Sequence, residues 1–151
     1  MIKIRDIIPG TIREVLQPLD SYIGHIVHLH CPFTKPDPKH KFLILLSVDP
    51  TLLFMLNSTV HKFIKNNPVM NVAQIKITPE NYIFLDHDSY INCAEVITSF
   101  DSVQLNKQIR GNPDCVKAKL NEETKQKIRN VVNRSKTIEP IFQSIILKNI
   151  R

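Results

Sequence analysis

Over much of the chain, apolar and polar side chains alternate with a period of two, and toward the C-terminal end the period changes to that of a helix. Gly24-His-Ile-Val-His-Leu-His30 is the clearest alternating stretch. As a strand it sets Val27, Leu29 and Cys31 on one face and Ile26, His28 and His30 on the other. The segment of residues 31–40, with three prolines and two lysines, suits an extended loop to a second strand. Lys41-Phe-Leu-Ile-Leu-Leu-Ser47 is apolar almost without interruption, as expected of a strand buried on both faces. Asp49-Pro50 turns the chain, Leu52-Leu-Phe-Met-Leu56 is the next buried strand, and Asn57-Ser58-Thr59 closes it with small polar groups. Short strands are expected over Val72–Ile77, Tyr82–Leu85 and Tyr90–Thr98, at the spacing of a small barrel or sandwich.

Helices are expected at both ends. Ile4, Ile7, Ile8, Ile12, Val15, Leu16 and Leu19 predict a short helix within residues 1–20, interrupted by Pro9-Gly10 and ended near Pro18. Past Gly111, Leu120, Ile128, Val131 and Val132 fall on one helical face. Asn121 is placed as the N-cap, Glu122 and Glu123 lie in the first turn, and Arg129 and Arg134 lie toward the C-terminal end, all complementing the helix dipole. Ile138–Leu147 reads as a second C-terminal helix. The class is mainly β with appended helices, and 151 residues suit one domain: an N-terminal extension (1–20), a β core (21–116) and basic C-terminal helices (117–151).

Charge adds a candidate partner. Residues 1–116 hold 11 Lys/Arg and 11 Asp/Glu, whereas residues 117–151 hold 9 and 3, so the whole net charge of +6 lies in the tail. Such a field attracts a polyanion, and equally serves as a solvated helix face. Three glycines leave no room for a phosphate-cradling glycine loop, and no nucleotide cofactor is expected. Apolar runs such as Phe42–Leu46 are far shorter than the ~20 residues of a membrane-spanning helix. The charged start of the chain is unlike a secretory signal, and three cysteines without Cys-x-x-Cys spacing predict a reduced, cytoplasmic setting.

Several groups bear chemistry. His28 and His30 project from one strand face and would ligate a metal if His40 or Asp37 converged on them, but an isolated His-x-His more often marks an exposed face, and no metal is expected. Asp86-His-Asp88 before Ser89 suits a polar turn better than a triad, since no Gly-x-Ser-x-Gly elbow accompanies it. Lys39-His40-Lys41 closes the proline-rich loop, and Asn57-Ser58-Thr59 ends the strand after next, so antiparallel pairing would bring the two ends together. Cations there would stabilise phosphorane-like charge, while imidazole, hydroxyl and amide groups would orient a ribose 2′-hydroxyl and move its proton.

The order of segments resembles the MazF/PemK family of toxin endoribonucleases. Gly24-His-Ile-Val-His-Leu29 is similar to the family's opening Gly-Asp-Ile-Val strand, Lys41–Ser47 to its Arg-Pro-x-x-Val-Leu-Ser strand, and Leu56-Asn-Ser58 to its Ile-Thr-Ser. Leu85-Asp-His-Asp-Ser89, Cys93-Ala-Glu-Val-Ile-Thr98, Asp101-Ser-Val-Gln-Leu105 and Ile109-Arg-Gly111 continue in the same order, so that the resemblance spans residues 24–132. It implies an SH3-like barrel, a homodimer, metal-independent cleavage of single-stranded RNA to a cyclic phosphate, and inhibition by an antitoxin. The residue roles that it implies fall on Lys41, Asn57 and Ser58; beside them His40 is expected to assist as an acid–base group, and Lys35, Lys39, Thr59 and His61 to lie against the RNA. The family's catalytic arginine falls on Lys41 and its threonine on Asn57, which leaves Ser58 identical. Lysine grips a phosphate as a point charge, without the paired hydrogen bonds of a guanidinium. A barrel of the same shape that binds nucleic acid or a protein without catalysis is the alternative.

Overall fold

The computed structural model describes residues 18–151. The helix expected over residues 1–20 falls almost wholly outside them; Leu19–Tyr22 form a single 3-10 turn. Six strands, β1 (His25–Cys31), β2 (Lys39–Ser47), β3 (Leu52–Asn57), β4 (Gln74–Ile77), β5 (Ser89–Ile97) and β6 (Val116–Lys119), form one antiparallel half-barrel sheet. Its order is β4-β5-β3-β2-β1-β6. Irregular register between Leu45 and Ser47, between Leu53 and Met55 and between Ile26 and Val27 interrupts three of the five ladders. Such bulges bend and twist the strands that carry them.

The helices are α1 (Lys62–Lys65), α2 (Pro68–Asn71), α3 (Ser102–Gly111), α4 (Glu122–Asn133) and α5 (Pro140–Asn149). They bury the sheet on both faces. On one face Ile26, Ile44, Phe54 and Ile91 pack with Ile128 and Val132 of α4 and Ile146 of α5. On the other, Val27, Leu29, Leu43, Leu45 and Leu53 pack with Leu105 and Ile109 of α3. This two-sided cover explains the unbroken apolar run of β2, where Leu43 to Leu46 are all fully buried and alternate between the two cores. Each such side chain contributes about 1.5–3 kcal/mol by leaving water.

Local chemistry sets the helix ends. Asn121 caps α4 as expected, its Oδ1 accepting from the Thr124 N–H at 2.8 Å. Asp101 and Gln104 form a reciprocal capping box at the start of α3, a helix that the sequence reading leaves inside the β core. Two further differences are corrections. Tyr82–Leu85 is a turn rather than a strand: Tyr82 and Leu85 both turn into the core, and the Tyr82 hydroxyl lies 2.6 Å from Thr124 Oγ1 and accepts from the Asn121 N–H. Its aromatic and apolar residues thus serve to seat α4. Residues 117–119, assigned from sequence to the basic C-terminal helices, belong instead to the edge strand β6.

The C-terminal helices are part of the core rather than appendages. Asn149 of α5 donates to the Leu46 carbonyl at 2.9 Å, Thr137 donates to the Ala94 carbonyl at 2.6 Å, and Gln143 donates to the Val132 carbonyl at 2.7 Å. Cys31, Cys93 and Cys115 are free and buried. No helix among the described residues is long and apolar enough to cross a membrane.

Candidate functional site

The β1–β2 ladder decides which polar side chains meet. Its register pairs His30 with His40, His28 with Phe42, Leu29 with Lys41 and Cys31 with Lys39. Because side chains alternate across a strand, the even-numbered residues of both strands share one face. His28, His30 and His40 therefore gather there. The rings of His30 and His40 lie 5.1 Å apart and those of His28 and His40 5.4 Å apart, centre to centre. His28 stacks on Phe42 at 4.5 Å, and Phe42 meets Phe84 at 5.0 Å.

The free edge of β1 is closed by a side chain. β6 pairs only with His25, Ile26 and Val27, so β1 continues past its partner strand. There the amide of Gln108, from α3, takes the place of a peptide group: its Nε2 donates to the His30 carbonyl at 3.0 Å and its Oε1 accepts from the His30 N–H at 2.8 Å. With both backbone groups of His30 turned to that edge, the His30–His40 pair is a non-hydrogen-bonded one, the kind that brings facing side chains closest. Gln108→Ala is expected to lower stability by about 1–2 kcal/mol and to raise the exchange rate of the His30 amide about tenfold. Hydrogen exchange followed by NMR measures both.

A cleft of about 520 Å³ lies across this edge, lined by all three histidines together with Lys107, Gln108 and Asn112. No carboxylate is among its lining residues. Burial lowers the pKa of His28 below the usual imidazole value, and the neighbouring His40 and Lys117 act in the same direction. His25 is lowered as well, again chiefly by burial, against the opposing pull of the backbone at Ile23. For both, the unfolded chain takes up the proton near pH 6.5 and the folded chain only at lower pH. Their stabilising contribution is complete above about pH 6.5 and is lost as the pH falls below it. Thermal unfolding between about pH 7.5 and 5.5 should show Tm falling toward acid, with a shallower slope in His28→Gln. Equal slopes would mean that the His28 proton is not coupled to folding.

The residues expected to form a site divide between two faces of the sheet. His40 joins the histidine face. Lys41, one residue on, points with Leu43 and Leu45 to the α3 face, where its charge opposes the rise that burial gives the Cys31 thiol, up to about 11. Asn57 follows Leu53 and Met55 on that same face. The β2–β3 register runs Leu43 to Met55, and carried two residues further it sets Lys41 across from Asn57. Ser58 and Thr59 come next, exposed in a bend. Lys35 is exposed in the loop between β1 and β2, and Lys39 opens β2 across from Cys31. His61 caps α1, its Nδ1 accepting from the Phe63 N–H at 3.2 Å.

One group of interest takes a plain structural role. Asp86–Asp88 is an exposed polar turn into β5, with Asp88 paired to Lys76 at 3.2 Å. Among the described residues no three His, Cys, Asp or Glu side chains are arranged to hold a metal ion. Lys107, Gln108 and Lys117 escaped the sequence reading as site residues. The capping box of Asp101 and Gln104 was the available signal for α3, but nothing in one dimension ties Gln108 to a strand 78 residues earlier.

Comparison of the chain with known protein families, with curated proteins and with solved structures finds no match in any of the three.

Proposed function

We propose that this chain is a MazF/PemK-like toxin, an SH3-like barrel that acts as a homodimer, cleaves single-stranded RNA without a metal, and is held inactive by an antitoxin. The observation that carries the reading is the β2–β3 register, whose last pair is Leu43–Met55 and whose extension by two residues would set Lys41 opposite Asn57 with Ser58 adjacent, at the strand ends where the resembling segments have their reactive groups. In the reaction the ribose 2′-oxygen attacks phosphorus and the bond from phosphorus to the 5′-oxygen breaks, leaving a 2′,3′-cyclic phosphate and a 5′-hydroxyl. Lys41 is the cation that offsets charge building on the phosphate oxygens, and Asn57 and Ser58 orient the phosphate by hydrogen bonding.

The test is incubation of the protein with a single-stranded RNA in chelator, with fragment ends identified by mass. Fragments ending in cyclic phosphate are expected, with the rate falling about 100-fold in Lys41→Ala and rising in Lys41→Arg, which adds the paired grip of a guanidinium. Absence of cleavage by the wild-type protein would overturn the reading. A cleft free of carboxylates favours a second reading, a barrel that binds nucleic acid without cutting it. It predicts intact RNA, held with an affinity that drops steeply with salt.

A further inference from the structure

We infer that the histidine face of β1 and β2 is the proton-transfer centre of this chemistry, with His28 and His30 flanking a phosphodiester in the cleft while His40 and Lys107 hold its charge. The inference rests on the RNA-cleaving reading and, in place of the Lys41–Asn57 strand ends, seats the scissile phosphate at the histidine cleft, which supplies the acid and base that Lys41, Asn57 and Ser58 do not.

Spacing is the first support. Two residues along a strand are about 7 Å apart, enough for a phosphate group between the His28 and His30 rings, whereas adjacent side chains would point apart. The His40 ring, from the neighbouring strand, lies against both. All three line one cleft, and its volume of about 520 Å³ is of the size that takes a nucleotide.

Environment is the second. The titratable groups that line the cleft are His28 and His30 from β1, His40 from β2, Lys107 from α3 and Cys115, whose thiol is held protonated by burial; Lys117 from β6 acts on His28, and the lining brings no carboxylate. A phosphodiester is the complementary charge. The two flanking rings are also unlike. His28 is half-buried on Phe42 and His30 is exposed. Burial and its cationic neighbours keep His28 neutral, the form in which an imidazole accepts a proton.

The step balances without an outside reagent. Neutral His28 takes the proton of the 2′-hydroxyl as the 2′-oxygen attacks phosphorus. The bond from phosphorus to the 5′-oxygen breaks, and the His30 imidazolium gives its proton to that departing oxygen. Cyclic phosphate and 5′-hydroxyl ends result. His28 is left protonated and His30 neutral, and exchange with water restores both. Gln108, by holding the His30 backbone through two hydrogen bonds, is a positioning residue for the acid.

The experiment measures cleavage of a single-stranded RNA in chelator from pH 5 to 9 by the wild-type protein and by His28→Gln, His30→Gln and His40→Gln. Binding of the same RNA with the 2′-hydroxyl removed at every position is measured alongside. A bell-shaped wild-type profile is expected. His28→Gln should lose the acidic limb and His30→Gln the alkaline limb, each with a rate about 100-fold lower and with binding of the deoxy analogue changed less than about threefold. A His28→Ala variant should recover part of its rate in added imidazole. A variant that merely unfolds would lose binding as well and would not be rescued. If the wild-type protein cleaves RNA and both histidine variants keep its rate and profile, the inference is overturned while the cleavage reading stands on Lys41. If the wild-type protein leaves RNA intact, both are overturned.

Discussion

Replacing Phe54 by alanine is expected to cost about 3–5 kcal/mol of folding stability, the range measured when a large aromatic is cut from a close-packed core. Phe54 lies on β3, between β2 and β5 in the sheet, directly across from Ile44, and is fully buried. Its ring belongs to the core that includes side chains from β1, β2, β4 and β5 and from the two C-terminal helices, so no single neighbour can move to fill the space without breaking another contact. Urea unfolding gives the value directly, from the shift in midpoint at constant slope. A loss below about 1 kcal/mol would mean that this core is loosely packed and would contradict the two-sided burial of the sheet.

Ile146→Ala should cost about 2–5 kcal/mol, although it lies close to the end of the chain in a helix that composition alone presents as a basic extension. Ile146 is fully buried with Ile128 and Val132 of α4, and α5 is further tied to β2 by the Asn149 hydrogen bond to the Leu46 carbonyl. Lys148→Ala on the exposed side of the same helix should change stability by less than about 0.5 kcal/mol. Comparing the two by urea titration separates a helix that completes the core from one that rests on the surface. Equal and small effects would show the latter.

The strands β1, β2 and β3 can be read from the sequence because hydrophobic alternation and an unbroken apolar run are local consequences of burial on one face or two. The α4 cap is readable for a similar reason: Asn121 answers N–H groups within its own first turn. Tyr82–Leu85 misleads because a tyrosine, a phenylalanine and two aliphatic residues in four positions have strand-like composition, while the hydrogen bonds of the Tyr82 hydroxyl to the start of α4 are contacts across some 40 positions. The α3 helix escapes because its buried positions, Leu105 and Ile109, are too few to make a periodic signal beside its polar residues.

The chain by itself determined that β1 carries His28 and His30 on one face and that His40 and Lys41 are neighbours, but it left His40 in the loop of residues 31–40, whereas Lys39 and His40 already belong to β2. It could not say which partners these would face. That depends on the register of β1 against β2, which pairs His30 with His40, and on the pleat, which sends Lys41 to the other face with Asn57. Register is decided by the burial of Ile26, Leu43 and Ile44 together with the helices that cover them, a collective requirement of both cores. The same requirement places α3 beside β1, where Gln108 bonds the His30 backbone and Lys107 lines the cleft that the histidines share. Local pattern thus chose the residues, and three-dimensional packing sorted them into a histidine face and a lysine–asparagine face.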